Sequence, residues 1–132
     1  YKYMKSGLLT FLLFFSITSI ADWVFYATGD DATLYWYENK KSILKKNELY
    51  IWERQRFAEN NIIVTEHGNK SAIVYKKINC IEKTSQVLEY SLFSDENWIN
   101  KTTFSDQPLK KGTIPPNSAS DIILKKLCFN AS

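Results

Sequence analysis

The chain contains only two cysteines, Cys80 and Cys128, and this pair restricts the fold more than any other sequence feature. Cys80 ends the strand-like stretch 71–80, and Cys128 lies near the end of the helix-like stretch 115–128. In a secreted chain, two cysteines are best explained as one disulfide, because a metal or redox pair needs partners that this chain lacks. Closing a loop of about 49 residues contributes about 4 kcal/mol in the chain-entropy model. We therefore expect a helix tied to a sheet across the C-terminal half.

The N-terminal segment has the three parts of a secretory signal peptide. Two lysines flank the start, the stretch 8–20 is apolar, and Ser19 and Ala21 are small residues at the positions that signal peptidase reads. The apolar stretch is about a dozen residues, shorter than the roughly 20 that span a bilayer. A retained anchor and a buried core helix are the alternatives. We predict a signal peptide over residues 1–21, no transmembrane span after its removal, and one exported domain over residues 22–132.

The charge balance argues against nucleic-acid binding. The sequence has 17 Lys and Arg residues, but Lys2 and Lys5 leave with the signal peptide, so 17 − 2 = 15 basic residues face 14 acidic ones. The basic residues are spread along the chain, mostly beside acids, and no arginine-rich helix or RNA-binding aromatic motif is present. A nearly balanced domain without a basic stripe lacks the electrostatic footprint of a nucleic-acid-binding protein.

The domain alternates aromatic or β-branched residues with polar ones, which is typical of β-strands. Over residues 86–93 the period of two predicts that Leu88, Tyr90 and Leu92 share one face. The stretch 60–70 consists of loop residues around a brief apolar run, which is either a short edge strand or a mobile flap. The predicted strands cover residues 22–28, 32–37, 48–57, 71–80, 86–93 and 98–104.

The last element is predicted to be a helix of about ten residues. Two prolines precede it, Ser118 is placed as its N-cap, and Asp121 is placed to interact with the helix dipole. Four apolar residues then recur at helical spacing, and Cys128 is one of them. A helix this short is marginal alone, so packing and the disulfide must hold it. The predicted fold class is α+β: an antiparallel β-sheet of about six strands, with the C-terminal helix packed on one face and tied there by the disulfide Cys80–Cys128.

The sequence contains few residues in patterns typical of catalytic or metal-binding sites. His67 is the only histidine, so residue supply excludes a catalytic triad and a zinc site, and Glu66 with His67 is more often an exposed loop pair than a catalytic dyad. The glycines form no phosphate-binding loop, and Asp30 with Asp31 lacks the spacing of a calcium loop. Glu53 is interpreted as an ordinary strand-face residue. We predict no catalytic residue, no metal and no cofactor, and therefore no enzyme.

Aromatic residues make up 15% of the sequence, which is enough to raise the question of where they lie. Core packing and cross-strand pairing explain most of them. Three neighbours on one predicted strand, Tyr35, Trp36 and Tyr37, cannot all point inward, so some aromatic surface must be exposed or covered by a partner. An exposed aromatic edge strand also leads us to expect homodimerisation.

Several stretches together resemble the surface-adhesin protein E family of Gram-negative bacteria. The most specific are the strand 71–80 that ends in Cys80 and the segment Ile114-Pro-Pro-Asn-Ser118 followed by Cys128, and Thr33-Leu-Tyr-Trp-Tyr37 adds to them. The resemblance covers nearly all of the chain after the predicted signal peptide. It implies an antiparallel sheet of about six strands with a C-terminal helix tied to its concave side by a disulfide. It also implies an exported protein, in the periplasm or on the outer cell surface.

The resemblance has implications for function. The adhesin after which the family is named is a surface lipoprotein that binds host extracellular-matrix and serum proteins through a basic segment before the cysteine that matches Cys80. Lys70, Lys76 and Lys77 are the basic residues at that place, whereas a glutamate and a histidine stand further upstream, and the lipid-anchored cysteine is missing. We predict a non-enzymatic binding domain with Lys70, Lys76 and Lys77 as its candidate surface for host matrix or serum glycoproteins. A structural or accessory envelope protein with no host ligand is the alternative.

Overall fold

The computed structural model describes residues 21–129. Within these residues the chain forms eight β-strands and two α-helices. The predicted signal peptide, apart from its last residue, lies outside the described residues. In chain order the elements are β1 (Trp23–Thr28), β2 (Leu34–Glu38), β3 (Ile43–Lys45), β4 (Glu48–Arg56), α1 (Ile62–His67), β5 (Ser71–Asn79), β6 (Thr84–Phe93), β7 (Lys101–Ser105), β8 (Gly112–Thr113) and α2 (Ala119–Cys128).

The strands form a single antiparallel sheet. Its main path runs β1-β2-β4-β5-β6-β7, and these six strands correspond to the six that the sequence predicts. In addition β3 pairs with β4 and β8 pairs with β6, so the sheet has eight strands and our prediction of about six was wrong by two. The extra strands have three and two residues, which is too short for a period of two to be recognised.

Residues 62–67 form the helix α1, so the interpretation of this stretch as an edge strand was wrong. The Asn61 side chain caps the helix by accepting a hydrogen bond from the backbone N–H of Ile63 at 2.8 Å. Gly68 ends it with a φ of 71°, a left-handed conformation that glycine adopts without strain. Both end signals are present in the sequence, but the apolar run between them is too short to show a helical period.

The C-terminal helix α2 has the predicted N-cap. The Ser118 hydroxyl accepts a hydrogen bond from the backbone N–H of Asp121 at 3.2 Å, and the Asp121 carboxylate accepts one from the N–H of Asn117 at 2.8 Å. The same carboxylate lies 3.0 Å from Lys125 Nζ. These contacts lower the pKa of Asp121, the hydrogen bond from Asn117 being the largest cause and Lys125 the next.

The predicted disulfide between Cys80 and Cys128 is confirmed, with the two Cα atoms 5.8 Å apart. It joins the end of β5 to the last residue of α2, and the helix also contacts β1 and β4. We call the side of the sheet that faces α2 the covered face and the opposite side the open face. Between helix and sheet lies a core of buried residues: Tyr37, Leu49, Ile51, Ile78, Cys80, Ile114, Ile123 and Leu124.

Candidate binding surfaces

The strand register determines which side chains reach the open face. On β4, Leu49, Ile51 and Glu53 are buried on the covered face, so the alternate residues of this strand point the other way. The partners directly opposite them on β2 and β5 point the same way, because paired residues share a face. On β1, β2, β4 and β5, the aromatic and basic residues placed on the open face by this register are Trp23, Phe25, Trp36, Tyr50, Trp52, Arg54, Arg56, Tyr75 and Lys77.

Two arginines of β4 lie between tryptophan rings on the open face. The Cζ atom of Arg54 is 4.7 Å from the ring centre of Trp23 and 4.0 Å from that of Trp98. The Cζ atom of Arg56 is 5.4 Å from the ring of Trp36 and 5.2 Å from that of Trp98. Each such cation–π contact contributes about 0.5–1 kcal/mol at an exposed site. We call these five residues the arginine clamp.

Trp98 reaches the arginine clamp from a loop. The sequence predicts it as the first residue of the last strand, which is wrong, because its φ is 57° and β7 begins only at Lys101. Its ring N–H donates to the backbone carbonyls of Gln55 and Ala72, at 3.1 Å in each case. These two hydrogen bonds hold the indole against β4 and β5, so the ring position is set by the sheet as well as by the loop.

The loop before β7 is built around the carboxylate of Asp95. It accepts hydrogen bonds from the backbone N–H groups of Asn97, Ile99 and Asn100, at 2.9, 3.1 and 2.8 Å. The hydrogen bond from Asn100 is the largest cause of a lowered pKa at Asp95, and the others outweigh the opposing effect of burial. The loop that presents Trp98 is therefore an ordered part of the surface.

Arg54 is half-buried in the clamp. Burial is the largest cause of its lowered pKa, the charge of Arg56 lowers it further, and the charge of Glu38 opposes both. A guanidinium stays protonated in proteins even so. Its Nε atom is buried and has no hydrogen-bond partner. A desolvated cation is therefore held in place by rings, while part of its hydrogen-bonding capacity is unused.

A second aromatic group occupies the other end of the open face. The ring of Tyr75 lies 4.7 Å from that of Trp52 and 6.4 Å from that of Tyr50, centre to centre. Lys77 lies next to this group, and its Nζ atom is 3.2 Å from Glu48 Oε2. The open face is therefore aromatic along its length, with two arginines at one end and an ion-paired lysine at the other.

The three lysines of the predicted surface do not form one patch. Lys70 is exposed just before β5, and Lys77 lies on the open face. Lys76 is only 6% exposed and points to the covered face, which corrects its assignment to a binding surface. The physical reason is the period of two, since Lys76 alternates in phase with the buried Val74 and Ile78. The signal is present in the sequence, as the alternation of Val74, Lys76 and Ile78.

Lys76 belongs to a buried polar cluster beneath α2. Its Nζ atom lies 3.0 Å from Glu53 Oε2 and donates to the Ser120 hydroxyl at 3.0 Å. The hydroxyl of Tyr26 donates to the other oxygen of Glu53, and Gln55 donates to Oε2 at 3.0 Å. Glu53 is fully buried, so its interpretation as an ordinary strand-face residue was wrong. The cluster satisfies its own charges and links the helix to the sheet.

The Glu53 carboxylate also affects the tyrosines around it. Burial, and then the charge of Glu53, raises the pKa of Tyr26 well above its usual range. The same two causes in the same order, with a further contribution from Asp31, raise the pKa of Tyr35 to about 12. Both phenols therefore stay protonated at neutral pH.

An apolar groove lies on the covered face beside the part that α2 occupies. Its volume is about 300 Å³. A register shift in the β5–β6 pairing turns Val87 to the same side as Tyr90 and Leu92 and leaves Leu88 without a partner, so the period of two that groups Leu88 with these residues is interrupted at this point. The groove is lined by Gln55, Phe57, Ile63, Ala72, Val74, Val87, Tyr90, Leu92 and Leu109.

His67 and Glu66, the pair that the sequence analysis weighed as a catalytic dyad, lie at the end of α1. His67 is the last residue of α1 rather than part of a loop, and it is exposed together with Glu66. Within residues 21–129, no group of three His, Cys, Asp or Glu side chains is placed to hold a metal ion. In the same part of the chain, neither helix has the length and the hydrophobicity that crossing a bilayer requires.

The fold and these two faces define a small single-sheet α+β domain with one face closed by a disulfide-tied helix and the other left open. A model of the family "Surface-adhesin protein E" matches residues 23–129, and the chain therefore belongs to this family. It is thus a bacterial surface-adhesin-like protein, of a family whose members are surface or exported proteins. Curated protein sequences contain no significant match to the chain.

Solved structures of similar fold include protein E of Haemophilus influenzae. Its selenomethionine form has a TM-score of 0.59 at 8% identity, covering 86% of this chain and 90% of that chain. A second crystal form gives a TM-score of 0.58 at 8% identity, with 86% and 91% covered. Protein E from a non-typeable strain gives 0.51 at 10% identity, with 86% and 80% covered. At such low identity these likenesses establish the fold alone.

Proposed function

We propose that this protein is a non-enzymatic binding domain that acts outside the cytoplasm, after removal of residues 1–21, and holds a protein ligand on its open face. One observation carries the proposal: two arginines are clamped between tryptophan rings on a face that α2 leaves uncovered. Arginine and tryptophan are enriched among the residues that dominate binding energy in protein interfaces. The proposed ligands are host matrix or serum glycoproteins, in keeping with the adhesin family.

Burial changes the role proposed for the lysines. Lys76 is engaged with Glu53 beneath α2, so it supports the fold rather than the ligand. Lys70 and Lys77 remain as peripheral contacts that steer an acidic ligand towards the surface, an effect that is stronger on association rate than on affinity. Alanine at Lys70 and Lys77 is therefore expected to slow association at low salt, and substitutions in the arginine clamp to weaken binding itself.

The test compares two charge reversals of equal size. Wild-type domain, Arg56→Glu and Lys110→Glu are passed over immobilised matrix and serum glycoproteins, and binding is measured by surface plasmon resonance. Lys110 is exposed in the connection between β7 and β8, next to Leu109 of the groove on the covered face, which makes it the matched control. We expect Arg56→Glu to weaken binding at least about tenfold and Lys110→Glu less than about twofold. Equal losses would show that net charge alone acts, and unchanged binding by Arg56→Glu would refute the open face as the site.

The same measurement distinguishes host adhesion from the alternative, an accessory role in the producer's own envelope. If no host glycoprotein binds, but a purified protein from the producer's own envelope binds with the same dependence on Arg56, the accessory role replaces host adhesion while the open face stands. Homodimerisation remains a prediction that analytical ultracentrifugation tests directly. The edge strands of the main sheet path, β1 and β7, are where a second copy would pair.

A further inference from the structure

Both arginines of the clamp lack a carboxylate partner, although all 14 Asp and Glu side chains lie within the described residues. The ion pairs found there are all made by lysines, and neither arginine takes part in one. The carboxylate oxygens of Glu38, whose charge acts on Arg54, accept hydrogen bonds from the backbone N–H groups of Asp22 and Lys40 at 2.8 and 2.9 Å. Arg56 donates from Nε to the carbonyl of Glu96 at 3.1 Å.

The arginine clamp contains both arginines of the sequence and none of its lysines. Arg54 and Arg56 are the only arginines in the sequence, and all other basic side chains apart from His67 are lysines. A lysine stem would supply the same charge, but only a planar guanidinium stacks on indole rings and offers paired N–H groups that match a carboxylate. The sequence thus places both planar cations at the single position where three tryptophans surround them.

The tryptophan rings also hold the guanidinium groups in place before a ligand binds. Trp23 and Trp98 lie on the Arg54 guanidinium and restrict its motion, so less conformational entropy is lost when an anion binds. Two like charges two residues apart on one strand repel each other, and an anion between them removes that repulsion. The unused buried Nε of Arg54 shows that the fold itself does not satisfy this group.

An apolar surface adjoins the clamp. Phe25 is 49% exposed and its ring packs edge-on against Trp36 at 5.5 Å between centres. An exposed aromatic pair of this kind can pack against an apolar side chain of a ligand, next to an acidic side chain that reaches the arginines. The other cations that the register places on this face are Lys45 and Lys77 at the far end, where Lys77 is paired with Glu48, and Lys101 on β7, which lies over the ring of Phe104. A sulfated oligosaccharide is therefore the competing ligand in the test.

We infer that the arginine clamp is a carboxylate-binding site, and that it takes the acidic side chain of a protein segment in which an apolar or aromatic residue stands beside that acid and packs on Phe25 and Trp36. This inference rests on the proposed function of the open face and adds the chemistry of its ligand. The carboxylate lies across the free N–H edges of Arg54 and Arg56, in the bidentate arrangement that guanidinium groups favour.

The test uses NMR of the arginine side chains. Because the sequence has two arginines, the ¹⁵N-labelled domain gives two Nε–H signals, which single Arg→Lys variants assign. The probes are a synthetic octapeptide of alternating Glu and Phe, the same peptide with Gln in place of Glu, and a sulfated oligosaccharide. We expect the Glu peptide to shift both signals with saturation, and the Gln peptide to bind at least about fivefold more weakly.

Variants complete the test. Arg56→Lys keeps the charge but removes the planar donor pair, and is expected to weaken the Glu peptide at least about fivefold, while Lys110→Ala leaves it unchanged. The NMR signals of the tryptophan ring N–H groups report whether each variant stays folded, and Arg54→Lys provides a second variant of the same kind. Equal binding of both peptides, or shifts with the sulfated oligosaccharide alone, overturns the carboxylate assignment. If glycoprotein binding still depends on Arg56 in that case, the proposed function stands and only its ligand chemistry is refuted.

Discussion

The two faces of the same sheet hold their charged side chains by different means. On the covered face, Lys76 is paired with Glu53 at 3.0 Å and bonded to Ser120 of α2. On the open face, Arg54 is held by the rings of Trp23 and Trp98 and has no carboxylate partner among the described residues. The first arrangement neutralises its charges within the fold and joins helix to sheet, whereas the second leaves its cations without a counterion among the described residues. Neighbouring residues of one strand, Glu53 and Arg54, thus point to opposite faces, where Glu53 stabilises the fold and Arg54 belongs to the proposed binding site.

The two faces hold their charges differently because only the charges on the open face are in contact with water. A charge beneath α2 is removed from water and must be neutralised within the fold, since an unpaired buried ion costs several kcal/mol. A charge on the open face still contacts water at its edge, so ring contacts suffice to position it. We therefore expect substitutions on the covered face to change the free energy of unfolding strongly, and those on the open face to change it little.

The largest effect is expected from breaking the buried ion pair. Lys76→Met leaves the Glu53 carboxylate buried without its counterion and should lower the free energy of unfolding by about 3–5 kcal/mol. The double variant Lys76→Met/Glu53→Gln removes both charges and keeps an acceptor for the Tyr26 hydroxyl, so it should recover at least half of the loss. Urea unfolding followed by tryptophan fluorescence measures both. A loss below about 1 kcal/mol for Lys76→Met would show that the pair is not shielded from water.

A pair of isoleucines on β5 compares the two faces directly. Ile78 is fully buried beneath α2, and Ile73 lies half-buried on the open face. Ile78→Ala should lower the free energy of unfolding by about 3 kcal/mol, because it leaves a cavity in the core. Ile73→Ala, the matched control on the same strand, should cost about 1 kcal/mol. Equal losses from the two substitutions would contradict the distinction between the faces.

The smallest effect concerns the start of α2. The pKa of Asp121 is lowered in the folded state, so its carboxylate contributes stability above the unfolded pKa, and this contribution disappears as pH falls through the folded pKa. Asp121→Asn should therefore lower stability modestly at neutral pH and flatten the loss of stability on acidification below about pH 4. Thermal unfolding from pH 2 to 7 records this, with the exposed Asp106→Asn as control. If wild type and Asp121→Asn lose stability in parallel as the pH falls, the Asp121 carboxylate is not the source of the pH dependence.

The sequence predicted the elements whose signals are long or local. Period two over eight to ten residues identified β4, β5 and β6, and the Ser118 cap with its apolar stripe identified α2. The short strands and α1 were missed because two to six residues show no period. The burial of Lys76 was predictable from its phase with Ile78, and the error was to read a run of lysines as exposed.

The sequence alone determined the disulfide, the positions of the main strands along the chain and the C-terminal helix, because each of these depends on residue spacing along one segment or on the supply of cysteines. It could not reveal the arginine clamp. Trp23, Arg54 and Trp98 come from three separate parts of the chain, and Trp98 enters only because a loop takes a left-handed turn around Asp95. Contacts between residues so far apart are set by the packing of the whole sheet. That is why the tertiary structure decided which charges are buried and which remain available to a ligand.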